Sequence, residues 1–140
     1  MAKRSSAITL LHTIVCDDIR REDNGKFILI GVYPELIMLN MIPAQLILSI
    51  WLQFKLQLLE KTTLEFEVKG NALPEPITFS FEIGDENMFG KDEAVPLIVR
   101  LPFSISAAGS FTLYYRKKGE KEWHQAQTIQ VKRTIGPSLQ

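Results

Sequence analysis

From Leu46 to Leu58 every second residue is apolar, with Leu46, Leu48, Ile50, Leu52, Phe54, Leu56 and Leu58 set among Ser49, Gln53, Lys55 and Gln57. A helix would scatter a strict period of two around its cylinder, whereas a strand places all seven groups on one face. The pattern predicts a half-buried strand, and it recurs along the chain. Ala7 to Asp17 alternates with Ile8, Leu10, His12, Ile14 and Cys16 on one side. Phe27 to Tyr33 returns after Asn24-Gly25, a dipeptide suited to tight hairpin turns. Both of these strands are apolar on two faces, so the hairpin is expected to lie centrally.

Further alternation follows at Thr63 to Lys69, Ile77 to Ile83, Val95 to Ile105, Phe111 to Arg116 and Trp123 to Lys132. Pro96 and Pro102 fall within one of these runs; proline gives no ladder donor, so that strand is expected at an edge or with bulges. Pro34 to Pro43 fits neither period and reads as an extended or single-turn connector. Roughly seven or eight short strands joined by turns, with no long helical pattern, predict an all-β fold: a single antiparallel β-sandwich, with a small β-barrel as the alternative. One domain should cover 1–140, with frayed ends at about 1–6 and 136–140.

Composition narrows the function classes. Sixteen basic and sixteen acidic residues leave no net charge in 140 residues, which argues against nucleic acid and anionic membrane as partners. Arg116, Lys117, Lys118 and Lys121 are interleaved with Glu120 and Glu122 and read as a solvated turn. The single cysteine suits a reducing compartment, and no apolar run approaches the roughly 20 residues of a membrane span. The basic, apolar opening imitates an export signal, but His12 and two threonines interrupt it. The expected location is cytoplasmic.

Candidate chemistry is sparse. Asp17, Asp18, Arg20, Arg21, Glu22 and Asp23 crowd the end of the first strand. The carboxylates could contribute to a calcium site with Asp85, Asn87 or Asp92, but the neighbouring arginines pair better with them. Asp85 to Gly90 imitates the start of a calcium loop, yet Phe89 and Pro96 stand where ligands belong. His12 and Cys16 are separated by roughly 13 Å of strand, too far for direct proton transfer. His124 or His12 with an acidic partner would be needed for a hydrolytic enzyme. Zinc, phosphate-loop and dinucleotide patterns are missing. No catalytic residue, metal or cofactor is therefore assigned. Ile47, Trp51, Ile98 and Tyr114 occupy faces that should be wet and are candidates for an exposed apolar surface.

The segment Ile14-Val15-Cys16-Asp17-Asp18-Ile19-Arg20, with Asn24-Gly25-Lys26 and Leu29-Ile30-Gly31-Val32-Tyr33, resembles the opening of an uncharacterised bacterial β-sandwich domain family of unknown function. The resemblance covers about the first quarter of the chain and implies the fold without an activity. Within that motif, Asp17, Asp18, Arg20 and Lys26 are the candidate interaction or turn-fastening residues. The expected role is a non-catalytic binding or assembly module, self-associating or holding a protein partner. A calcium-dependent ligand-binding sandwich is the alternative, and a small hydrolytic enzyme a more distant one.

Overall fold

The computed structural model describes residues 6–84 and 87–134 of the chain. Nine strands follow one another: β1 (Ala7–Arg21), β2 (Phe27–Tyr33), β3 (Leu36–Leu39), β4 (Ala44–Gln57), β5 (Thr62–Lys69), β6 (Ile77–Ile83), β7 (Asp92–Ile105), β8 (Gly109–Lys117) and β9 (His124–Arg133). They form a four-stranded sheet in the order β2-β1-β4-β7 and a five-stranded sheet in the order β3-β9-β8-β5-β6. Two sheets with separate edges make a sandwich rather than a closed barrel. Among the described residues no helix is long and apolar enough to cross a membrane.

The strict alternation of β4 organises the core. Leu48, Ile50, Leu52, Phe54 and Leu56 are buried against Leu64, Phe66 and Val68 of β5, Phe111 and Leu113 of β8, and Ile129 and Val131 of β9. Phe54 meets Phe66 edge to face with ring centroids 6.2 Å apart, and Phe66 stacks on Phe79 at 4.8 Å. Such rings bury a large apolar area while keeping favourable quadrupole geometry.

Several sequence expectations are corrected. A ninth strand, β3, lies in the Pro34 to Pro43 connector and pairs in parallel with β9, burying Ile37. The first hairpin is not central: β1 is interior, but β2 is an edge strand. A register shift between Leu10 and His12 turns β1 over, so the single face expected from Ile8 to Cys16 is split. Leu10 lies opposite Phe54 and points to the core, whereas His12 and Cys16 lie opposite Gln53 and Ser49 and point away. A bulge of one extra residue exchanges the faces in this way. Ser6, placed in the frayed start, is buried; its hydroxyl accepts from Leu59 N at 3.0 Å and its carbonyl from Lys117 Nζ at 2.9 Å.

The edge position of β7 agrees with its prolines. Pairing with β4 runs unbroken from Ala44 opposite Ile105 to Gln57 opposite Asp92. Pro96 and Pro102 fit such a ladder when their nitrogens face the free side of β7.

Candidate functional site

The β1–β2 hairpin peels away from β4 as an arm, because β1 pairs with β4 only as far as Cys16 opposite Ser49, while β4 itself continues to Ala44 beside β7. Cys16 and Ser49 alternate with the core residues Val15 and Ile50 and so point to the outer face, yet they are 0% and 2% exposed. The arm itself supplies their cover. Its Phe27 ring lies edge to face on Trp51, with centroids 5.1 Å apart, on the face of β4 opposite the core. Trp51 stands in a cross-strand row with Ile14 and Ile98. Ile19, Phe27 and Leu29 of the arm are half-buried as well. The arm thus has an apolar underside that closes a small second core.

The bend occurs at Asp17 and Gly31, which the regular β1–β2 pairing skips. Gly31 has φ +70°, and a Cβ there would collide with the Asp17 side chain. Both the positive φ and the close approach require glycine. Asp17 accepts a hydrogen bond from the Tyr33 hydroxyl, which together with burial and the Asp17 charge pushes the tyrosine up to about 12. Cys16 Sγ donates to the Asp18 carbonyl at 3.4 Å; burial first, and the Asp17 and Asp18 charges second, raise its pKa. A buried thiol held in its protonated form is a poor nucleophile.

The sequence-predicted residues therefore separate by role. Asp17 fastens the bend. Asp18 pairs with Arg20 at 3.1 Å on the exposed side of the arm, and Arg20, with Ile19 N–H assisting, holds the carboxyl below its ordinary value. Lys26 closes the turn through its backbone: its N–H donates to Asn24 Oδ1 at 3.0 Å and its carbonyl accepts from Glu22 N–H at 2.7 Å. Of the four candidates for exposed apolar surface, Ile47 alone stands out, at 56%. Trp51 and Ile98 are half-buried in the row beneath the arm, and Tyr114 is half-buried on the other sheet with Lys69 Nζ 5.3 Å from its ring.

Three residues that the sequence reading placed in a central hairpin are exposed instead: Ile28, Ile30 and Val32, at 42%, 41% and 50%. They occupy alternate positions of β2, whose outer edge is unpaired among the described residues. The available signal was the composition of Phe27 to Tyr33, seven residues without charge or proline.

The other candidate chemistries are differently placed. Among the described residues, no three histidine, cysteine or acidic side chains gather as a metal site. Asp92 faces Lys55 at 3.7 Å, and Asp85 lies outside the described residues. His12 is exposed on the outer face. His124 does meet a carboxylate, with Nε2 3.2 Å from Glu120 Oε2, beside a pocket of about 90 Å³ lined by Ile8, Leu64, Tyr115, Lys117, Glu120 and His124. That lining holds no serine, threonine or cysteine, and the other oxygen of Glu120 accepts the Lys117 N–H at 3.0 Å. Both oxygens therefore clamp the β8–β9 turn. Burial alone would raise the Glu120 pKa, but the Lys117 and His124 hydrogen bonds and charges outweigh it and lower the value.

Neither known protein families nor curated proteins give a match to this chain.

Proposed function

We propose that the protein is a non-catalytic binding or assembly module that engages protein through the free edge of β2. The observation that carries this reading is the contrast between the two edges of the four-stranded sheet. An open edge presents unpaired N–H and C=O groups to any passing strand, and proteins blunt it with proline, charge or cover. β7 carries Pro96 and Pro102 together with Asp92, Glu93 and Arg100. β2 reads Phe-Ile-Leu-Ile-Gly-Val-Tyr and carries none of these devices. An exposed, uncharged, β-branched edge suits strand addition, in which main-chain hydrogen bonds supply affinity and alternate side chains supply selectivity.

In this reading the Asp17–Tyr33 bond, Gly31 and the Phe27–Trp51 contact set the position of the edge. The protein acts in a reducing, cytoplasmic compartment and takes neither nucleic acid nor a cofactor. The bacterial family that its opening resembles would share the same arm. The test compares tagged wild-type protein with an Ile30→Lys variant of matched melting temperature in capture from the source cell. A stoichiometric protein recovered by the wild type and lost in the variant supports the reading. Capture indifferent to Ile30 argues against it.

A further inference from the structure

We propose that one end of the sandwich binds a small organic acid, with its carboxylate on the Lys117 ammonium and its short apolar body in the recess beside His124. No residue of β2 lines this site, so it and the edge reading can fail separately. Segments distant in sequence build it: Ser6 precedes β1 and Ile8 lies in it, Thr62 and Thr63 open β5, Lys117 to Glu120 turn from β8 towards β9, and His124 begins β9. Two cavities meet there, an outer one of about 470 Å³ and the recess of about 90 Å³. Lys117 and Glu120 belong to the walls of both and form the threshold between them.

The turn reads in sequence as a solvated run of charge, yet Lys117 is half-buried. Its Nζ donates to the Ser6 carbonyl at 2.9 Å, which is a neutral acceptor. An ammonium carries three donors, so two remain to be satisfied. Glu120 is engaged elsewhere: one oxygen accepts the Lys117 N–H at 3.0 Å and the other meets His124 Nε2 at 3.2 Å. Lys61 faces Glu82 at 3.8 Å on the surface, and Lys118 and Glu60 are exposed at the rim. The rim thus carries both signs, and the inner charge is that of Lys117. One carboxylate answers it with charge-assisted hydrogen bonds, whereas the second charge of a phosphate would be set against Glu60 and Glu120. The recess accounts for the rest of the ligand. Ile8 and Leu64 line it, and Tyr115 forms a wall whose ring is held between Phe54 and His124, with centroids 5.3 and 5.2 Å away. Its volume is well above the room that one water needs. A short hydrocarbon body is better placed against Ile8 and Leu64 than water is, and an apolar enclosure with a few convergent polar groups is the usual anatomy of a ligand site.

The test is an amide-shift titration of the isotope-labelled full chain by nuclear magnetic resonance, with sodium butyrate as the probe. Saturable shifts should gather at Thr63, Lys117, Glu120 and His124. Butyramide has the same shape without the charge, and acetate and inorganic phosphate have charge without the hydrocarbon body. All three should bind more weakly than butyrate. Lys117→Gln keeps a donor for the Ser6 carbonyl and removes the ammonium, so butyrate affinity should fall about tenfold or more while the spectrum elsewhere is kept. If that variant fails to fold, the four ligands compared on the wild type still decide the question. Butyrate shifts that are absent, unsaturable or scattered over the surface overturn the site. Butyramide binding as tightly as butyrate removes the role of Lys117, as does a folded Lys117→Gln variant with unchanged affinity. Acetate or phosphate matching butyrate shows that the recess takes no part, and the assignment to an organic acid with an apolar body falls.

Discussion

The Tyr33 hydroxyl donates to the Asp17 carboxylate across the β1–β2 pair, at the point where the arm leaves its sheet. Their bond favours the neutral phenol over the phenolate, which explains a folded-state value of about 12 against an ordinary 10.0. A tyrosine pKa raised by folding contributes stability that is complete below the unfolded value and disappears as pH rises through the folded one. Ultraviolet titration should therefore show one phenol ionising near pH 12, with stability declining between 10 and 12. In Asp17→Asn that phenol should titrate earlier, and in Tyr33→Phe the late transition should vanish.

Gly31 lies opposite the same carboxylate. Gly31→Ala must place a Cβ at φ +70° and displace Asp17, so we expect a loss of about 1–3 kcal/mol. Urea unfolding would measure it; an unchanged midpoint would show that the bend does not depend on glycine.

Phe27 and Trp51 report whether the arm is closed. In a Trp123→Phe background the remaining indole fluorescence comes from Trp51. Phe27→Ala removes the ring that lies against it and should shift emission to the red, at a stability cost of about 1–2 kcal/mol for a half-buried aromatic. Emission that stays put would mean that other groups cover Trp51.

Thr13 faces Leu52 across the β1–β4 pair, and its buried hydroxyl has no hydrogen-bond partner among the described residues. Thr13→Val keeps the shape and removes the unpaired group. The expected gain is about 1 kcal/mol, read as a higher unfolding midpoint.

Thr13 also shows why some of the structure was illegible in sequence. Its inward position depends on the register shift after Leu10, and a run apolar on both sides contains no mark of where its phase changes. In β4 the alternation has a polar counter-phase, and there the inward set is found where the period places it. For β1 and β2, two apolar faces suggested a central place for the hairpin. One face of β1 packs on the core, while the arm folds back to cover part of the other; β2 is left at the edge. Four residues of β3 between prolines were too few to display a period. The candidate motif was legible at Asp17 and Asp18 because charge is conspicuous beside an apolar strand. Ile28, Ile30 and Val32 were missed because apolar composition alone does not distinguish a buried strand from an exposed edge.

Glu120 gives an acid counterpart to Tyr33. Its carboxyl, ordinarily near 4.5, is lowered because the Lys117 and His124 interactions outweigh the cost of burial. A carboxyl lowered by folding contributes stability present above the unfolded value and lost as pH falls through the folded one. Glu120→Gln keeps an acceptor for Lys117 N–H but removes the charge. Melting curves should separate the two proteins most at neutral pH and converge below the folded value. A constant gap across that window would assign the effect to packing rather than charge.

The proline guard on β7 makes the last prediction. If Pro96 and Pro102 keep that edge closed, Pro96→Thr with Pro102→Thr should restore two outward N–H donors without disturbing the ladder to β4. Threonine favours strands, so the monomer fold should survive. Two open edges per molecule then allow association through β7 as well as β2. A contact pair that does not close generates an extended assembly. Sedimentation of the double variant should reveal species beyond a dimer that grow with concentration, and adding Ile30→Lys should shorten them by blocking one of the two edges. Should the double variant retain the wild-type size distribution, the prolines are not what keeps β7 from pairing, and the contrast between the two edges loses its explanatory force.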